Sequence, residues 1–245
     1  MKTIRKIIIK VAGLQFYLKF ISKIYLSLVK KGMLKKQYPE LFYLKEIIKP
    51  GFVCIDIGAN LGYYSYFLAK HSGKKGKVFA VEPVPLFAEI WKKNVHYNKR
   101  KNLKLFPYAL GNENKSIRMG MPVHQGIIHH GMTKVAVSAN EKYAYFFEAE
   151  MRIPDALFTE LEKLDFVKCD VEGFEYMVFS NMTETIKRHK PLIQSELSGK
   201  ENREKTISLL EGMGYTTCLL GEENRLEKAD MQEKKQAQKD FYFVI

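Results

Sequence analysis

The stretch Val53–Ser65, VCIDIGANLGYYS, decides the fold of this chain. Five residues, three of them β-branched, lead to a turn that contains Gly58 and Gly62, and an aromatic segment follows from Tyr63. This order predicts a buried strand, a glycine turn and a helix, an arrangement that many nucleotide-binding proteins share.

Strand and helix patterns alternate from Pro50 to the end of the chain. Such alternation predicts an α/β domain with a mostly parallel sheet and helices on both faces. The last two strands are joined by a polar stretch and are expected to pair antiparallel at the sheet edge. The predicted strands are 51–57, 77–81, 103–108, 164–169, 192–196, 215–220 and 241–245, and the predicted helices are 63–71, 85–97, one from 174, and 201–213.

The length of 245 residues and the apolar content of 46% suit one domain of this kind. We place this domain at residues 40–245 and treat residues 1–39 as a basic N-terminal arm. Residues 111–150 interrupt the alternation with glycines, prolines and three of the six histidines. We expect a loop-like insertion there, where a substrate-specific wall would lie.

The net charge of +13 is unevenly distributed along the chain. Residues 1–39 hold ten Lys or Arg and no acid, which leaves 30 bases against 27 acids in the remaining 206 residues. A protein that follows a nucleic-acid backbone needs positive charge on the folded surface that forms its groove. The nearly neutral domain therefore argues against a nucleic-acid partner.

The arm contains a basic amphipathic helix, predicted at residues 14–31. One alternative is peripheral contact with an anionic membrane, and another is packing on the domain or on a second subunit. A spanning helix is disfavoured because Lys19 and its neighbours would each cost about 2.5–3.5 kcal/mol near the bilayer centre. The polar face comprises Gln15, Lys19, Ser22, Lys23, Ser27 and Lys30, and the apolar face comprises Phe16, Tyr17, Phe20, Ile21, Ile24, Tyr25, Leu28 and Val29.

The cysteines Cys54, Cys169 and Cys218 lie far apart in apolar runs, without a Cys-x-x-Cys pair. We predict buried free thiols in a reducing compartment. No small-residue cleavage site follows the first apolar segment, so a secretory signal is not expected. The predicted location is the cytoplasm, with peripheral attachment to the inner face of a membrane if the arm binds lipid.

Two features separate the glycine turn from a dinucleotide-binding turn. In the pattern G-x-G-x-x-G, the second glycine lets the backbone approach a pyrophosphate closely. Here Asn60 occupies that place, and Asp56 precedes the first glycine. A carboxylate suits a ligand with an ammonium or sulfonium group, and S-adenosylmethionine has both. Glu82 ends the next strand, where a carboxylate can accept both hydroxyls of a ribose.

Four stretches, VCIDIGANLGYYS, VFAVEPVP, YALGN and DFVKCDVEGFEYMVF, resemble the FkbM-like family of S-adenosylmethionine-dependent methyltransferases over roughly residues 40–200. The resemblance implies a Rossmann-like class I methyltransferase domain with a seven-stranded sheet, and typically O-methylation of sugar or other hydroxyls. It also implies a binding site for the methyl donor, with Glu82 at the ribose. The residues of that site are Asp56, Gly58, Ala59, Asn60, Gly62, Glu82 and Ala109.

Asp170 and Glu172 follow a predicted strand, at the carboxyl edge where ligands bind in open α/β sheets. Methyl transfer to a hydroxyl needs a group that takes the proton, and neighbouring carboxylates in a cleft can have the raised pKa that suits this role. We therefore interpret both as candidate catalytic residues. The alternatives are that they cap the next helix and fix the turn at Gly173, or that Lys168 pairs with Asp170.

Further candidates lie at the end of the fifth strand and in the insertion. Glu196 is a candidate for binding acceptor hydroxyls, or it simply initiates a helix. Among the insertion's histidines, His130 is a candidate general base and His129 a candidate substrate contact, with His124 as a third possibility. No carboxylate stands near these histidines in sequence, so we predict no metal site.

Together these features predict an S-adenosylmethionine-dependent O-methyltransferase that acts on a hydroxyl, that of a sugar in a surface glycan or glycolipid precursor. One alternative is an NAD-dependent oxidoreductase, which Asp56 and Asn60 disfavour. Another is a non-catalytic scaffold that keeps the cofactor-binding turn.

Overall fold

The computed structural model describes residues 2–124, 127–136 and 141–245, and it describes only the backbone of residues 2–4 and of His124. A mostly parallel sheet carries helices on both faces, as the alternation predicts. The helices are α1 Lys2–Lys30, α2 Pro39–Ile47, α3 Tyr63–Ser72, α4 Pro85–Asn94, α5 Pro154–Leu157, α6 Glu175–Ser180, α7 Thr183–His189, α8 Lys200–Gly212 and α9 Met231–Gln236.

The strands form a main sheet and a second, smaller sheet. The strands of the main sheet are β1 Val53–Ile57, β2 Lys77–Val81, β3 Leu103–Phe106, β9 Phe166–Cys169, β10 Leu192–Ser195, β11 Thr216–Leu220, β12 Leu226–Lys228 and β13 Phe241–Val244. Those of the second sheet are β4 Tyr108–Leu110, β5 Lys115–His124, β6 Ile127–Ile128, β7 Lys134–Val135 and β8 Tyr143–Arg152.

The main sheet has the order β12-β11-β13-β10-β9-β1-β2-β3 within the described residues. Strands β3, β2, β1, β9 and β10 are parallel to one another. Strand β13 lies antiparallel between β10 and β11, which confirms the predicted antiparallel pairing of the last two strands. The short β12 adds one strand to the seven that were expected.

The central strand β1 is buried on both faces. Ile55 and Ile57 belong to the core on one side of the sheet, and Cys54 packs with Trp91 in the core on the other side. This alternation follows from the two-residue period of a strand. All three cysteines are buried and free, as predicted.

The parallel strands end together at one edge of the sheet. Ile57 lies opposite both Val81 and Cys169, and Cys169 lies opposite Ser195. Four of these strands, β1, β2, β9 and β10, are each followed directly by a residue named above as a candidate for the site. These residues are Gly58, Glu82, Asp170 and Glu196.

The expectation of a loop-like insertion at residues 111–150 is wrong for its two flanks, which form long antiparallel strands. Strand β5 pairs with β8 over most of its length, and β7 and β6 pair with the far part of β5. The chain enters this second sheet directly from the main sheet, so the predicted strand 103–108 divides into β3 and β4.

The glycine and proline that suggested a loop have specific places in strand β5. Gly120 lies against the ring of Tyr143, and a Cβ atom at this position would overlap that ring. Pro122 lies where the register between β5 and β8 shifts. Glycine at a close contact and proline at a bulge are the settings in which strands accept these residues.

The N-terminal arm packs on the domain along most of α1. Leu14 and Leu18 join a core with Phe87, while Leu26 and Val29 join the core that contains Trp91. Helix α1 starts well before the predicted residue 14 and is broken at Gly13, where φ is +83°. This arrangement favours the alternative in which the buried face of α1 packs on the domain.

The predicted division of α1 into two faces needs correction. Ser22 was assigned to the polar face but is fully buried, and its hydroxyl donates to the carbonyl of Lys19 at 3.2 Å. Phe16 and Phe20 were assigned to the apolar face together with residues that pack on the domain, but they are 56% and 51% exposed. The helix is therefore rotated relative to the prediction, and a row of apolar side chains faces outward. Of the helices in the described ranges, none combines the length and hydropathy needed to cross a membrane.

Candidate active site

The glycine turn after β1 is held against the end of β9. The N–H groups of Gly58 and Ala59 both donate to the carbonyl of Val81 at 3.0 Å. Gly58 has φ of +77°, and a Cβ atom there would overlap the backbone carbonyl of Asp170. Glycine is therefore required at position 58 for both its conformation and the close approach of two strand ends.

Asn60 and Gly62 complete the turn with left-handed backbone conformations, at φ of +47° and +90°. Asn60 lines both cavities described below. Gly62 lines neither of them among the described residues, because it lies beneath Trp91, whose ring a Cβ atom would approach to 2.9 Å. This glycine serves the packing of α3 on α4, and its predicted place in the donor site stays a prediction.

The carboxylate of Asp56 is buried beneath the turn and accepts a hydrogen bond from the Ser65 hydroxyl. The indole N–H of Trp91 donates to the same hydroxyl at 2.8 Å. Burial raises the pKa of Asp56 to about 6. Asp56 is also one of the residues that line the larger cavity at this edge.

Glu82 fixes the turn from the neighbouring strand. One of its oxygens accepts the N–H of Asn60 at 2.7 Å, and the other accepts the N–H of Val84 at 2.8 Å. Burial raises the pKa of Glu82 to about 7. Each carboxylate oxygen has a second lone pair, so both can still accept a hydroxyl from a ligand.

Two adjoining cavities open at this edge. The smaller cavity contains Glu82 together with apolar side chains from α4 and from the second sheet, among them Phe87, Ala109 and Met119. The larger cavity has a volume of about 740 Å³ and contains Asp56, Ala59 and Lys168. Four residues line both cavities, namely Gly58, Asn60, Gly131 and Asp170.

Asp170 lies where the two cavities meet. Its side chain is half-buried, and one oxygen is 4.0 Å from the ammonium of Lys168. Burial raises the pKa of Asp170, although the Lys168 charge opposes that shift. The ion pair considered from the sequence is therefore present but long.

Lys168 has a closer partner, Asp240, which the sequence analysis missed. The Asp240 carboxylate lies 3.2 Å from the Lys168 ammonium and accepts the side-chain N–H of Gln194 at 2.6 Å. Lys168 is almost fully buried; burial disfavours its charge, but Asp240 and then Asp170 raise its pKa overall. The antiparallel direction of β13 is the signal that could have found Asp240. That strand starts beside Ser195, at the edge of the sheet where β1, β2, β9 and β10 end, which we call the catalytic edge.

Glu172 and Glu196 complete an acidic cluster with Asp170. Burial and then the charge of Asp170 raise the pKa of Glu172 to about 8. The same two causes raise the pKa of Glu196 to about 7. Glu172 belongs to the smaller cavity and Glu196 to the larger one, so the cluster extends across both.

The turn after β9 is capped by Glu175 and not by either candidate acid. One oxygen of Glu175 accepts the N–H groups of Val171 and Gly173, at 3.0 and 3.2 Å. Glu172 has φ of +55°, a conformation that costs energy for a residue with a side chain. The helix-capping alternative for Asp170 and Glu172 therefore loses its support.

The histidines of the insertion differ in their settings. His130 lines the larger cavity, but burial and then the charge of Arg5 lower its pKa to about 4. An imidazole with this pKa is a weak base, so the structure does not favour the predicted role of His130 as general base. His129 is half-buried and lies outside both sets of cavity-lining residues. The side chain of His124 lies outside the described residues. Within the described ranges, no group of three or more His, Cys, Asp or Glu residues could hold a metal ion.

Comparison with known proteins gives the family. A family model described as the methyltransferase FkbM domain matches residues 56–217, which include the glycine turn, Glu82 and the acidic cluster. The chain belongs to the FkbM methyltransferase family. It is therefore an S-adenosylmethionine-dependent methyltransferase, and the alternative of an NAD-dependent oxidoreductase is set aside. No curated protein matches the sequence significantly.

Several solved structures are similar to this FkbM-family methyltransferase at low sequence identity. A candidate rRNA methylase from Clostridium thermocellum has a TM-score of 0.50 and 11% identity, with 84% of this chain and 94% of that chain covered. The methyltransferase FkbM from Methylobacillus flagellatus KT has a TM-score of 0.49 and 14% identity, with coverage of 83% and 50%. An S-adenosylmethionine-dependent O-methyltransferase from Thermotoga maritima has a TM-score of 0.47 and 14% identity, with coverage of 84% and 65%.

The two cavities fit S-adenosylmethionine by their chemistry. Glu82 has two free lone pairs for ribose hydroxyls, and Phe87, Ala109 and Met119 give the smaller cavity the apolar walls that a purine needs. Asp56 and Asp170 supply negative charge in the larger cavity, toward which the cationic methionine end would lie. When bound, the donor supplies an electrophilic methyl group on a sulfonium.

Proposed function

We propose that this FkbM-family methyltransferase transfers a methyl group to a hydroxyl of a sugar in a surface glycan or glycolipid precursor. One observation carries the proposal: three carboxyl groups with raised pKa, those of Asp170, Glu172 and Glu196, cluster at the edge where both cavities meet. Such a cluster can accept hydrogen bonds from several acceptor hydroxyls and can take one proton near neutral pH.

The reaction releases a proton, and the cluster of Asp170, Glu172 and Glu196 can accept it. The acceptor oxygen forms a bond to the methyl carbon, the carbon–sulfur bond breaks, and the hydroxyl proton must leave the oxygen. Asp170 is the best placed carboxylate to receive that proton because it lies in both cavities. Lys168 and Asp240 act as positioning residues, since the buried pair fixes the charge beside Asp170.

A sugar fits the charge of the site better than a nucleic acid does. The described residues of the larger cavity include five carboxylates and three lysines, and Lys168 is already paired with Asp240. An acceptor rich in neutral hydroxyls matches such a surface, whereas a polyphosphate chain would be repelled.

The proposal also places the protein in the cytoplasm, peripherally at the inner face of a membrane. The outward row on α1 comprises Phe16, Phe20 and Ile24, which are 39–56% exposed, and lysines flank it. An apolar stripe with flanking cations is typical of helices that lie in an anionic lipid surface.

The decisive assay is transfer of labelled methyl from S-adenosylmethionine to extracted cell-surface glycans and lipids. We expect label in a sugar methyl ether, and we expect Asp170→Asn combined with Glu172→Gln to abolish it while S-adenosylhomocysteine binding is weakened only in part, because Glu82 and Asp56 remain. Unchanged turnover in this double variant would exclude the proposed roles of the two acids. Binding of S-adenosylhomocysteine without transfer to any extract would favour the non-catalytic scaffold.

Membrane attachment is tested separately by flotation with vesicles that contain anionic lipid. We expect the full chain to float and the Phe16→Ser, Phe20→Ser variant to stay at the bottom. If both float equally, the outward row does not contact lipid.

A further inference from the structure

The larger cavity lies between the catalytic edge of the sheet and the N-terminal arm. Ile21 and Tyr25 of α1 form part of one wall, together with Lys36 and Tyr38 from the connection to α2. Asp170 and Glu196 lie among the residues of the catalytic edge. The arm is therefore a structural part of the site and not an appendage to it.

The volume of this cavity exceeds what the methionine end of the donor needs. About 740 Å³ lies in the range of sites that enclose a whole small ligand. The methionine end of the donor would occupy the part beside Asp56 and Asn60. The rest, between the arm and Glu196, remains for a second molecule.

Three tyrosines form an aromatic wall beside this space. The ring of Tyr25 lies 4.3 Å from that of Tyr63 and 5.2 Å from that of Tyr38, measured between centroids. Burial raises the pKa of Tyr25 and of Tyr63 above the usual range, so their hydroxyls stay protonated. The wall thus offers flat apolar faces with neutral hydroxyl groups at their edges.

Carboxylates lie around the same space. Glu40 lies in the first turn of α2, and burial raises its pKa. Asp240 directly precedes β13, and Glu196 directly follows β10. A sugar ring presents C–H groups on its faces and hydroxyls around its rim. Aromatic faces combined with peripheral carboxylates match both of these features.

We propose that the space between the arm and the catalytic edge is the acceptor site, and that it binds one neutral glycosyl unit against the Tyr25–Tyr38–Tyr63 wall. This inference rests on the proposed function, whose acceptor it locates and narrows. It makes the arm a determinant of acceptor binding, beyond any attachment to a membrane.

The test measures binding of soluble glycosides by saturation-transfer NMR in the presence of S-adenosylhomocysteine. The probes are the methyl glycosides of glucose, galactose and rhamnose. We expect at least one of them to bind the full-length protein, and the Tyr25→Ala, Tyr38→Ala variant to bind it about tenfold more weakly or not at all. Affinity for S-adenosylhomocysteine should fall less than affinity for the glycoside, because neither tyrosine lines the smaller cavity, where the ribose and the purine would lie.

The control is the Phe16→Ala, Phe20→Ala variant, which changes two aromatic residues on the exposed side of the same helix. It should bind the glycoside as the wild type does. If the double tyrosine variant loses S-adenosylhomocysteine binding, the single variant Tyr38→Phe is used in its place. This variant removes only the Tyr38 hydroxyl, and we expect it to weaken the glycoside signal.

The outcomes separate this inference from the proposed function. Binding of none of the three glycosides by the wild type, or equal binding by the tyrosine variant, overturns the inference even if labelled methyl transfer succeeds. Glycoside binding that depends on the tyrosines supports the acceptor site even if the transfer assay on extracts fails, and in that case only the proposed reaction falls.

Discussion

Replacing Asp240 by Asn tests the buried charge pair that supports the catalytic edge. The ammonium of Lys168 is 3.2 Å from Asp240 and 4.0 Å from Asp170, and the Lys168 side chain is only 2% exposed. The substitution removes one negative charge but keeps an oxygen that can accept the N–H of Gln194. The lysine then has a single charged partner at the longer distance.

The expected loss of stability follows from these distances. Two unit charges 4 Å apart interact by about 4 kcal/mol at an effective dielectric constant of 20. Removing one partner of a buried pair typically costs about 3–5 kcal/mol. Because Asp170 remains near Lys168, we expect the lower end, about 3 kcal/mol of unfolding free energy. The raised pKa of Lys168 means that its stabilising charge is fully present below the pKa of an unfolded lysine and is lost only at high pH, so the whole effect is visible at neutral pH.

The assay is urea unfolding followed by the fluorescence of Trp91, the single tryptophan, which is fully buried. A loss of about 3 kcal/mol moves the midpoint down by about 1 M or more. The matched control is Glu223→Gln, which removes a carboxylate paired with Arg225 at 3.7 Å on the exposed surface and should leave the midpoint unchanged. Adding Lys168→Met to Asp240→Asn should recover part of the loss, because it removes the buried ammonium that Asp240→Asn leaves with only its more distant partner, Asp170. An unchanged midpoint for Asp240→Asn would refute the argument that the pair is buried and charged.

Three further predictions concern the site itself. Glu82→Gln should weaken S-adenosylhomocysteine binding at least about tenfold, as measured by calorimetry, because an amide NH₂ would then face the backbone N–H of Asn60 or of Val84. Equal affinity of the variant and the wild type would contradict the assigned ribose contact. The rate of methyl transfer should rise with pH between about 6 and 9, because Glu172, with a pKa of about 8, becomes a carboxylate over this range. If a Glu172→Gln variant keeps the same pH profile, Glu172 is not the origin of the pH dependence. Gly58→Ala should abolish donor binding, because the new Cβ atom would overlap the Asp170 carbonyl. The control Gly212→Ala should bind the donor normally, because its new Cβ atom would meet nothing within 4 Å. Normal binding by both variants would show that the ends of β1 and β9 can separate.

The parallel part of the fold and its ligand-binding edge could be predicted from the sequence. Four of the five parallel strands, β1, β2, β9 and β10, are short apolar runs followed at once by Gly58, Glu82, Asp170 and Glu196 respectively. Parallel strands in register bring such following residues to one edge, so local patterns were sufficient to gather the candidates. The family resemblance rests on the same residues.

The second sheet and the partner of Lys168 could not be predicted in this way. Gly120 and Pro122 are strand residues only because Tyr143 packs on one and a register shift accommodates the other, and both conditions depend on a distant strand. Asp240 reaches Lys168 only through the antiparallel insertion of β13, about 70 residues further along the chain. The burial of Ser22 likewise depends on how α1 is rotated against the domain.

The contact between Gly58 and the Asp170 backbone bears on how the methyl donor and the proton acceptor are aligned. With no Cβ atom between them, the loop that would hold the donor and the loop that carries Asp170, the proposed proton acceptor, lie directly against each other. We expect the two loops to move together, so that the separation between them varies less than the position of either. The alignment of donor and proton acceptor would then depend on one backbone contact and would need no side chain to move.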